Sequence, residues 1–315
     1  MILGFDIGGT KCAVITANVN GGEIKLLKKE KCATRFDISP EEMIDSLIRS
    51  AENILEGTRP EKIGISCGGP LDSRNGIILG PPNLPGWDEV HISERISRHF
   101  GVPALLQNDA NACAVAEWKF GAGMGADNMV FLTFGTGLGA GLILNGRLYT
   151  GTNDNAGEAG HIRLERFGPV GYGKAGSFEG FCSGGGIAKL GCSMALEALQ
   201  SGRQPAYFKK GMNESDVTAK AIAEAADAGD ETAINVYRVC GEHLGAGLSV
   251  LIDILNPEKI VIGSVFARSE HLLRKYAEEV IANEALPQAA KCCKIVPAEL
   301  GEKIGDYAAI ATALL

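Results

Sequence analysis

Apolar residues fall into two short runs at the start of the chain, Ile2 to Ile7 and Cys12 to Ala17, separated by Gly8-Gly9-Thr10-Lys11. Runs of this length around a glycine-rich turn predict a β-hairpin, and a third strand follows from Glu23 to Cys32. The period then changes. Met43, Ile44, Leu47, Ile48, Ala51, Ile54 and Leu55 recur at helical spacing between Pro40 and Leu55, with Ser39 placed as N-cap and Glu41 and Glu42 in the first turn. Lys62 to Cys67 predicts a strand, His91 to His99 a helix, Pro103 to Leu106 a strand and Ala110 to Trp118 a helix. Hairpin, strand and then alternation describe a mixed sheet covered by helices.

A second series begins near Asn128, with strands expected at 129–134 and 140–144. It repeats the opening layout: F-D-I-G-G-T-K at 5–11 is matched by F-G-T-G-L-G-A-G at 134–141. The repetition predicts duplicated domains facing each other across a cleft. Beyond it the chain reads as mainly helical, with Ile234, Tyr237, Leu244, Leu248, Leu251, Ile252 and Leu255 on one buried face. A strand at Lys259 to Ile262 and a final helix from Asp306 to Leu315 complete the expectation.

Composition narrows the function classes. The chain has 315 residues, 45% hydrophobic and 22% charged, which suits a folded protein of about two domains. Its formal net charge of −8 is the wrong sign for neutralising nucleic-acid phosphates, so no nucleic-acid partner is expected. No apolar run reaches the ~18 residues of a membrane span. The N-terminus shows no basic leader, and the expected location is cytoplasmic. Nine cysteines, with no C-x-x-C spacing, read as small hydrophobes. The 42 glycines cluster in patches, marking places where the backbone turns with positive φ or lets another group approach.

Glycine turns carrying a threonine expose successive backbone N–H groups, which suit the oxygens of a polyphosphate. One such turn can be only a hairpin; two matched turns, each in its own domain, can grip a triphosphate. Lys11 adds a cation beside the first. Asp6 is placed either to hold a hydrated Mg²⁺ or to cap a turn. The Walker A pattern fails, because Gly9 is followed by Thr10-Lys11. Gly171 to Gly176 matches G-x-G-x-x-G, but the flanking residues predict neither the preceding strand nor the following helix of a dinucleotide fold. Asp109, at the end of the strand from Pro103, can take a proton from a substrate hydroxyl or can cap the next helix. Asn108 beside it both donates and accepts, as a polyol requires. Glu158 and His161 add polar groups within a turn.

Six segments in order resemble the ROK family (repressors, open reading frames, kinases) of the actin-like ATPase and sugar kinase superfamily. They are Asp6 to Lys11, Pro82-Asn83-Leu84-Pro85-Gly86-Trp87, Asn108 to Asn111, Gly135-Thr136-Gly137-Leu138-Gly139, Gly157 to His161, and Asn256 to Gly263. The resemblance implies an α/β fold of two actin-like (ribonuclease H-like) lobes, each a mixed sheet flanked by helices, with ATP and a hexose in the cleft between them. Residues 1–110 with 300–315 would form the smaller lobe and 111–299 the larger. Asp109 becomes the expected general base, while Asn83, Asn108, Glu158, His161 and Glu179 hold the sugar together with Asp109. Gly8, Gly9, Thr10 and Lys11, with Gly135, Thr136 and Gly137, take the phosphates, and Asp6 takes Mg²⁺ through water. Gly263 lies by the adenosine, although Ser264 follows it where the family often has a second glycine. The implied activity is transfer of the γ-phosphoryl group of ATP to a hexose hydroxyl, glucose first and the 6-hydroxyl most often, in a homodimer. Fructose, mannose, N-acetylated amino sugars and β-glucosides are alternative acceptors, and a non-catalytic sugar sensor is the alternative role. Many members carry a C-x-C-G-x-x-G-C-x-E segment that binds structural zinc with the histidine. Here Val170 to Glu179 lacks all three cysteines, so no zinc is expected. Packing through Val170, Tyr172 and Phe178 is expected to hold the loop instead.

Overall fold

The structure is a computed structural model that describes residues 1–209 and 211–315. The chain divides into two compact units: residues 1–127 with 141–156 and 299–315, and residues 128–140 with 157–298.

The first sheet is built from β1 (Ile2–Ile7), β2 (Lys11–Asn20), β3 (Glu23–Ala33), β4 (Lys62–Cys67) and β5 (Ala104–Asn108), in the order β3-β2-β1-β4-β5. The hairpin strands are antiparallel, whereas β1, β4 and β5 run parallel. Their register pairs Ile7 with Cys67 and Cys67 with Asn108, so the segments starting at Gly8, Gly68 and Asp109 leave one edge of the sheet. Ligands of open α/β sheets bind outside such carboxyl ends. Helix α1 (Pro40–Leu55) covers one face with Met43, Ile44, Leu47, Ile48, Ala51 and Leu55. Its start is fixed by a capping box in which Ser39 Oγ accepts from Glu42 N–H and the Glu42 carboxylate accepts from Ser39 N–H. Helices α2 (Ile92–Phe100) and α3 (Asp109–Phe120) flank β5 in sequence.

A second five-stranded sheet repeats this plan. It contains β6 (Met129–Leu132), β7 (Ala140–Leu144), β8 (Arg147–Tyr149), β9 (Lys259–Ile262) and β10 (Lys294–Pro297), in the order β8-β7-β6-β9-β10. Again one hairpin is antiparallel, and β6, β9 and β10 are parallel. The helices of the second unit are α4 (Phe178–Phe181), α5 (Gly184–Gln200), α6 (Ala219–Asp227), α7 (Glu231–Leu255), α8 (Val265–Glu284) and α9 (Pro287–Cys292).

The last helix, α10 (Ile304–Thr312), returns to the first unit and lies directly on β1 and β4. Small residues permit this. A Cβ on Gly64 would overlap Ala309 O, and one on Gly4 would stand 3.0 Å from Ala309 Cβ. Ala308, Ala309, Ile310 and Ala311 are fully buried there. Glu117 of α3 is also fully buried, yet among the described residues no cation pairs with it. Its carboxylate accepts from the backbone N–H groups of Ala122 at 2.9 Å, Leu300 at 2.9 Å and Glu299 at 3.3 Å. A buried charge is tolerated when its lone pairs are satisfied in this way. These bonds tie the returning segment to α3.

The strands expected at Pro103–Leu106 and 129–134 run instead to Asn108 and Leu132. The flanks of Gly171–Gly176 lack the strand and long helix of a dinucleotide fold. Val170–Gly171 pairs with Lys174–Ala175 as a minimal hairpin, and Phe178–Phe181 forms one helical turn capped by Ser177.

Candidate active site

In the first unit, the turn at 8–11 closes through Gly8 N–H donating to Lys11 O at 3.2 Å. Among the described residues, nothing accepts from the N–H groups of Gly9 and Thr10. Neither Gly8 nor Gly9 has a positive φ. Gly9 is required for closeness: a Cβ there would overlap Asn83 O and stand 2.8 Å from Asn83 Cβ. Asn83 itself is exposed and directly precedes two buried anchors, Leu84 and Trp87, in a turn closed by Leu84 N–H to Pro81 O and Trp87 N–H to Leu84 O. A Cβ on Gly68 would be 3.3 Å from Asn83 Oδ1, and one on Gly69 would be 3.0 Å from Asn108 Nδ2. The structure therefore gathers the turn, Asn83 and Asn108 around the ends of β1, β4 and β5.

The sequence offers Asp109 as a base or as a helix cap, and the structure gives the N-cap to its neighbour. Asn108 is the N-cap of α3: its Oδ1 accepts from Ala110 N–H at 2.9 Å and from Asn111 N–H at 3.4 Å. Asp109 is the first helical residue, exposed, with Oδ1 accepting from Ala110 N–H at 2.8 Å. The N-cap role therefore belongs to Asn108. Asn108 correspondingly has its acceptor engaged by the helix, and its amide nitrogen remains the donor.

Asp6, at the end of β1, sits against the first turn of α10, where a Cβ on Gly305 would stand 2.9 Å from Asp6 Oδ2. Burial first, and then the charges of Asp306 and Asp109, push its carboxyl up to about 6; Lys29 and Lys11 oppose them. Lys29 forms a part-buried ion pair with Asp306. A carboxylate crowded by others suits a divalent cation, and Mg²⁺ takes one or two carboxylates while keeping waters. The donor chemistry of Asp6 fits such an ion, which it would hold mainly through water. Among the described residues, no group of three or more His, Cys, Asp or Glu is arranged around a metal position.

The shift of Asp6 carries a stability prediction. Its folded pKa lies above the ordinary 3.8, so the native state binds more protons, and stability falls as pH rises from about 4 through 6. The full cost is roughly 3 kcal/mol at pH 8 and about half of that near pH 5. Asp6→Asn should raise the melting temperature of the ligand-free protein more at pH 8 than at pH 5. Equal changes at the two pH values would contradict the assignment.

In the second unit, the turn after β6 follows the same scheme. Gly135 N–H donates to Gly137 O at 2.9 Å and Gly139 N–H to Thr133 Oγ1 at 2.9 Å. Glu179 Oε2 accepts from Leu138 N–H at 3.0 Å. The first two N–H groups of α5 reach back to the turn, Gly184 to Gly135 O at 2.7 Å and Gly185 to Thr136 O at 3.3 Å. What remains among the described residues are the N–H groups of Thr136 and Gly137. In each turn, then, the first glycine makes the bend and the next two residues present donors. The left-handed backbone is carried by the buried Phe134, at φ 31°, rather than by a glycine.

Gly157 and Gly160 let the backbone of the segment that carries Glu158 and His161 pack closely on β7 and this turn, since a Cβ on either would overlap a backbone carbonyl, that of Ala140 or Leu138. Both Glu158 and His161 are exposed. Gly263 is buried at the end of β9, with the position of a Cβ 3.4 Å from Thr133 O. Ser264 adopts φ 51° and ψ −107°, a conformation that strains any residue with a Cβ. A glycine at this position would adopt the same backbone without that strain.

The segment after His161 is held differently from the expectation. Phe178 is buried and lies against Gly247, but Val170 and Tyr172 are 43% and 74% exposed and pack little. Backbone bonds close the segment, Leu164 N–H to Gly176 O at 2.9 Å and Gly176 N–H to Pro169 O at 3.0 Å, and cations reach its carbonyls: Lys174 to His161 O at 2.7 Å, Arg163 to Ala175 O at 2.7 Å and Lys189 to Val170 O at 2.8 Å. Residues 162–181 contain no cysteine, so the donor set does not fit a structural zinc. The contributions of Glu117, Thr133, Lys29 and Asp306 are absent from the sequence reading; the two acids and the base are ordinary charged residues in sequence, whereas Thr133 lies directly before the F-G-T-G segment.

Two sheets of one strand order, each with a glycine turn after its first parallel strand, define an actin-like ATPase fold. The chain belongs to the ROK family, whose profile matches residues 2–314. It is 33% identical to a glucokinase from Halalkalibacterium halodurans over 312 residues, covering 96% of this chain and 92% of that one. It is 29% identical to a glucokinase from Thermotoga maritima over 305 residues, covering 96% and 94%. The crystal structure of a ROK family glucokinase from Streptomyces griseus, in complex with glucose and AMPPNP, superposes with a TM-score of 0.77 at 28% identity, covering 99% of both chains.

Proposed function

We propose that the protein is an ATP-dependent sugar kinase, a phosphotransferase that moves the γ-phosphoryl group of ATP to a hexose hydroxyl. The observation that carries this reading is the repeated turn. Gly9 and Thr10 in one unit, and Thr136 and Gly137 in the other, each present two N–H donors of the kind that hold phosphate oxygens. Asp109 accepts the proton of the sugar hydroxyl, which makes that oxygen the nucleophile. Asn83, Asn108, Glu158, His161 and Glu179 orient the sugar. Such positioning is the main source of rate in phosphoryl transfer. Asp6 would hold Mg²⁺ through water, and the bound ion would neutralise phosphate charge.

Glucose is the first acceptor and the 6-hydroxyl its reacting group, in keeping with the glucokinases among the relatives. A homodimer and a cytoplasmic location belong to the same proposal. Among the described residues, no helix is long and apolar enough to cross a membrane. The test is a panel of hexoses with ATP and Mg²⁺, reading ADP formation. ADP should form with glucose and fall to background without sugar. No sugar-dependent ADP with any hexose would overturn the kinase in favour of a sensor.

A further inference from the structure

Glu179 belongs to the sugar contacts by resemblance, yet one of its oxygens is engaged elsewhere. Oε2 accepts from Leu138 N–H at 3.0 Å, and a Cβ on Gly137 would stand 2.7 Å from the same oxygen. The carboxylate therefore lies flat on the turn that presents the Thr136 and Gly137 donors. No described residue bonds to Oε1, which leaves that oxygen for a ligand.

The support behind the carboxylate is stiff. Ser177 is fully buried and caps α4 by accepting from Gly180 N–H at 3.1 Å. Phe178 N–H donates to Ile162 O at 2.8 Å, and its ring fills the space left by Gly247. From the other side, Gly160 is wedged between Leu138 O and Glu179 Cβ; a Cβ on it would stand 3.2 Å from the latter. Segment 157–161, α4 and the turn form one packed group. The turn is pinned at the carbonyls of Gly135 and Thr136 by α5 and at the N–H of Leu138 by Glu179 alone.

We propose that Glu179 is the positioning residue of the 135–139 turn, one carboxylate shared between a sugar hydroxyl at Oε1 and the phosphate-holding backbone at Oε2. This rests on the kinase reading and deepens it. Sugar on Oε1 fixes the carboxylate, and the fixed carboxylate holds Thr136 and Gly137 ready for phosphate. The two substrates then raise each other's affinity by the same factor, as linkage requires.

The experiment separates this role from a plain sugar contact by measuring nucleotide binding with no sugar present. A non-hydrolysable ATP analogue with Mg²⁺, and glucose on its own, are titrated calorimetrically into the intact wild-type chain, Glu179→Ala and Glu179→Gln. Glu179→Ala should bind the analogue about tenfold more weakly in the absence of sugar, a loss of about 1.4 kcal/mol. Glu179→Gln keeps an acceptor for Leu138 N–H and should restore analogue binding while glucose binding stays impaired. Gly137→Ala, which displaces the carboxylate without removing it, should weaken the analogue as Glu179→Ala does. Thermal unfolding of each variant identifies one that fails to fold, and the remaining two then decide. Analogue affinity unchanged in Glu179→Ala, with glucose binding lost, would reduce Glu179 to a sugar contact and overturn the proposal. A wild-type chain that binds neither probe would bring down the kinase reading itself, and this proposal with it.

Discussion

Asp109→Asn should lower turnover by about three orders of magnitude or more, the scale expected when a general base is removed from a proton-transfer step. Sugar affinity should stay within a few-fold of wild type, because the replacement keeps shape and an acceptor oxygen. The helix should be indifferent as well. Asn108 holds the cap of α3 with its own side chain, so exchanging the neighbouring carboxylate for an amide leaves the helix start in place. Steady-state kinetics with a coupled ADP readout, beside a sugar titration of the same variant, measures both quantities. Wild-type turnover would remove Asp109 from the mechanism, and a melting temperature several degrees lower would return it to a structural role.

Gly9→Ala should cost about a hundredfold in kcat/KM, while Gly8→Ala should cost much less. The added methyl at Gly9 runs into Asn83 O, so the turn and Asn83 must separate. A displacement of ~1 Å in a positioned group costs on the order of 10²-fold in rate. At Gly8 the same methyl meets only Lys11 O, at 3.0 Å. Neither glycine has positive φ, so the contrast reads close approach and not backbone freedom. Equal losses in the two variants would refute the distinction.

Where local period decides an element, the sequence is legible: α1, β4, β7 and β9 carry the expected boundaries. The two-sheet actin-like fold follows from the repeated hairpin and the resemblance. Decisions that rest on neighbours far along the chain are not legible. Asn and Asp are both good caps, so Asn108-Asp109 does not say which residue caps until the helix is seen. Val170 and Tyr172 look like packing residues by composition, but lysine and arginine bonds to carbonyls help shape their loop. Glu179 meets Leu138 across 41 positions and Glu117 meets Leu300 across 183, separations at which no periodicity operates. Within the candidate site, motif order assembles the residues of each turn. It does not separate Gly8 and Gly135, which bend the chain, from the donors that follow them.

The cation-to-carbonyl bonding of residues 162–181 has a consequence for how this protein tolerates its surroundings. Ammonium and guanidinium groups help shape this segment, and none of its residues is a cysteine or a methionine. An oxidant that attacks sulfur finds no target there, so the loop does not depend on a thiol being kept reduced.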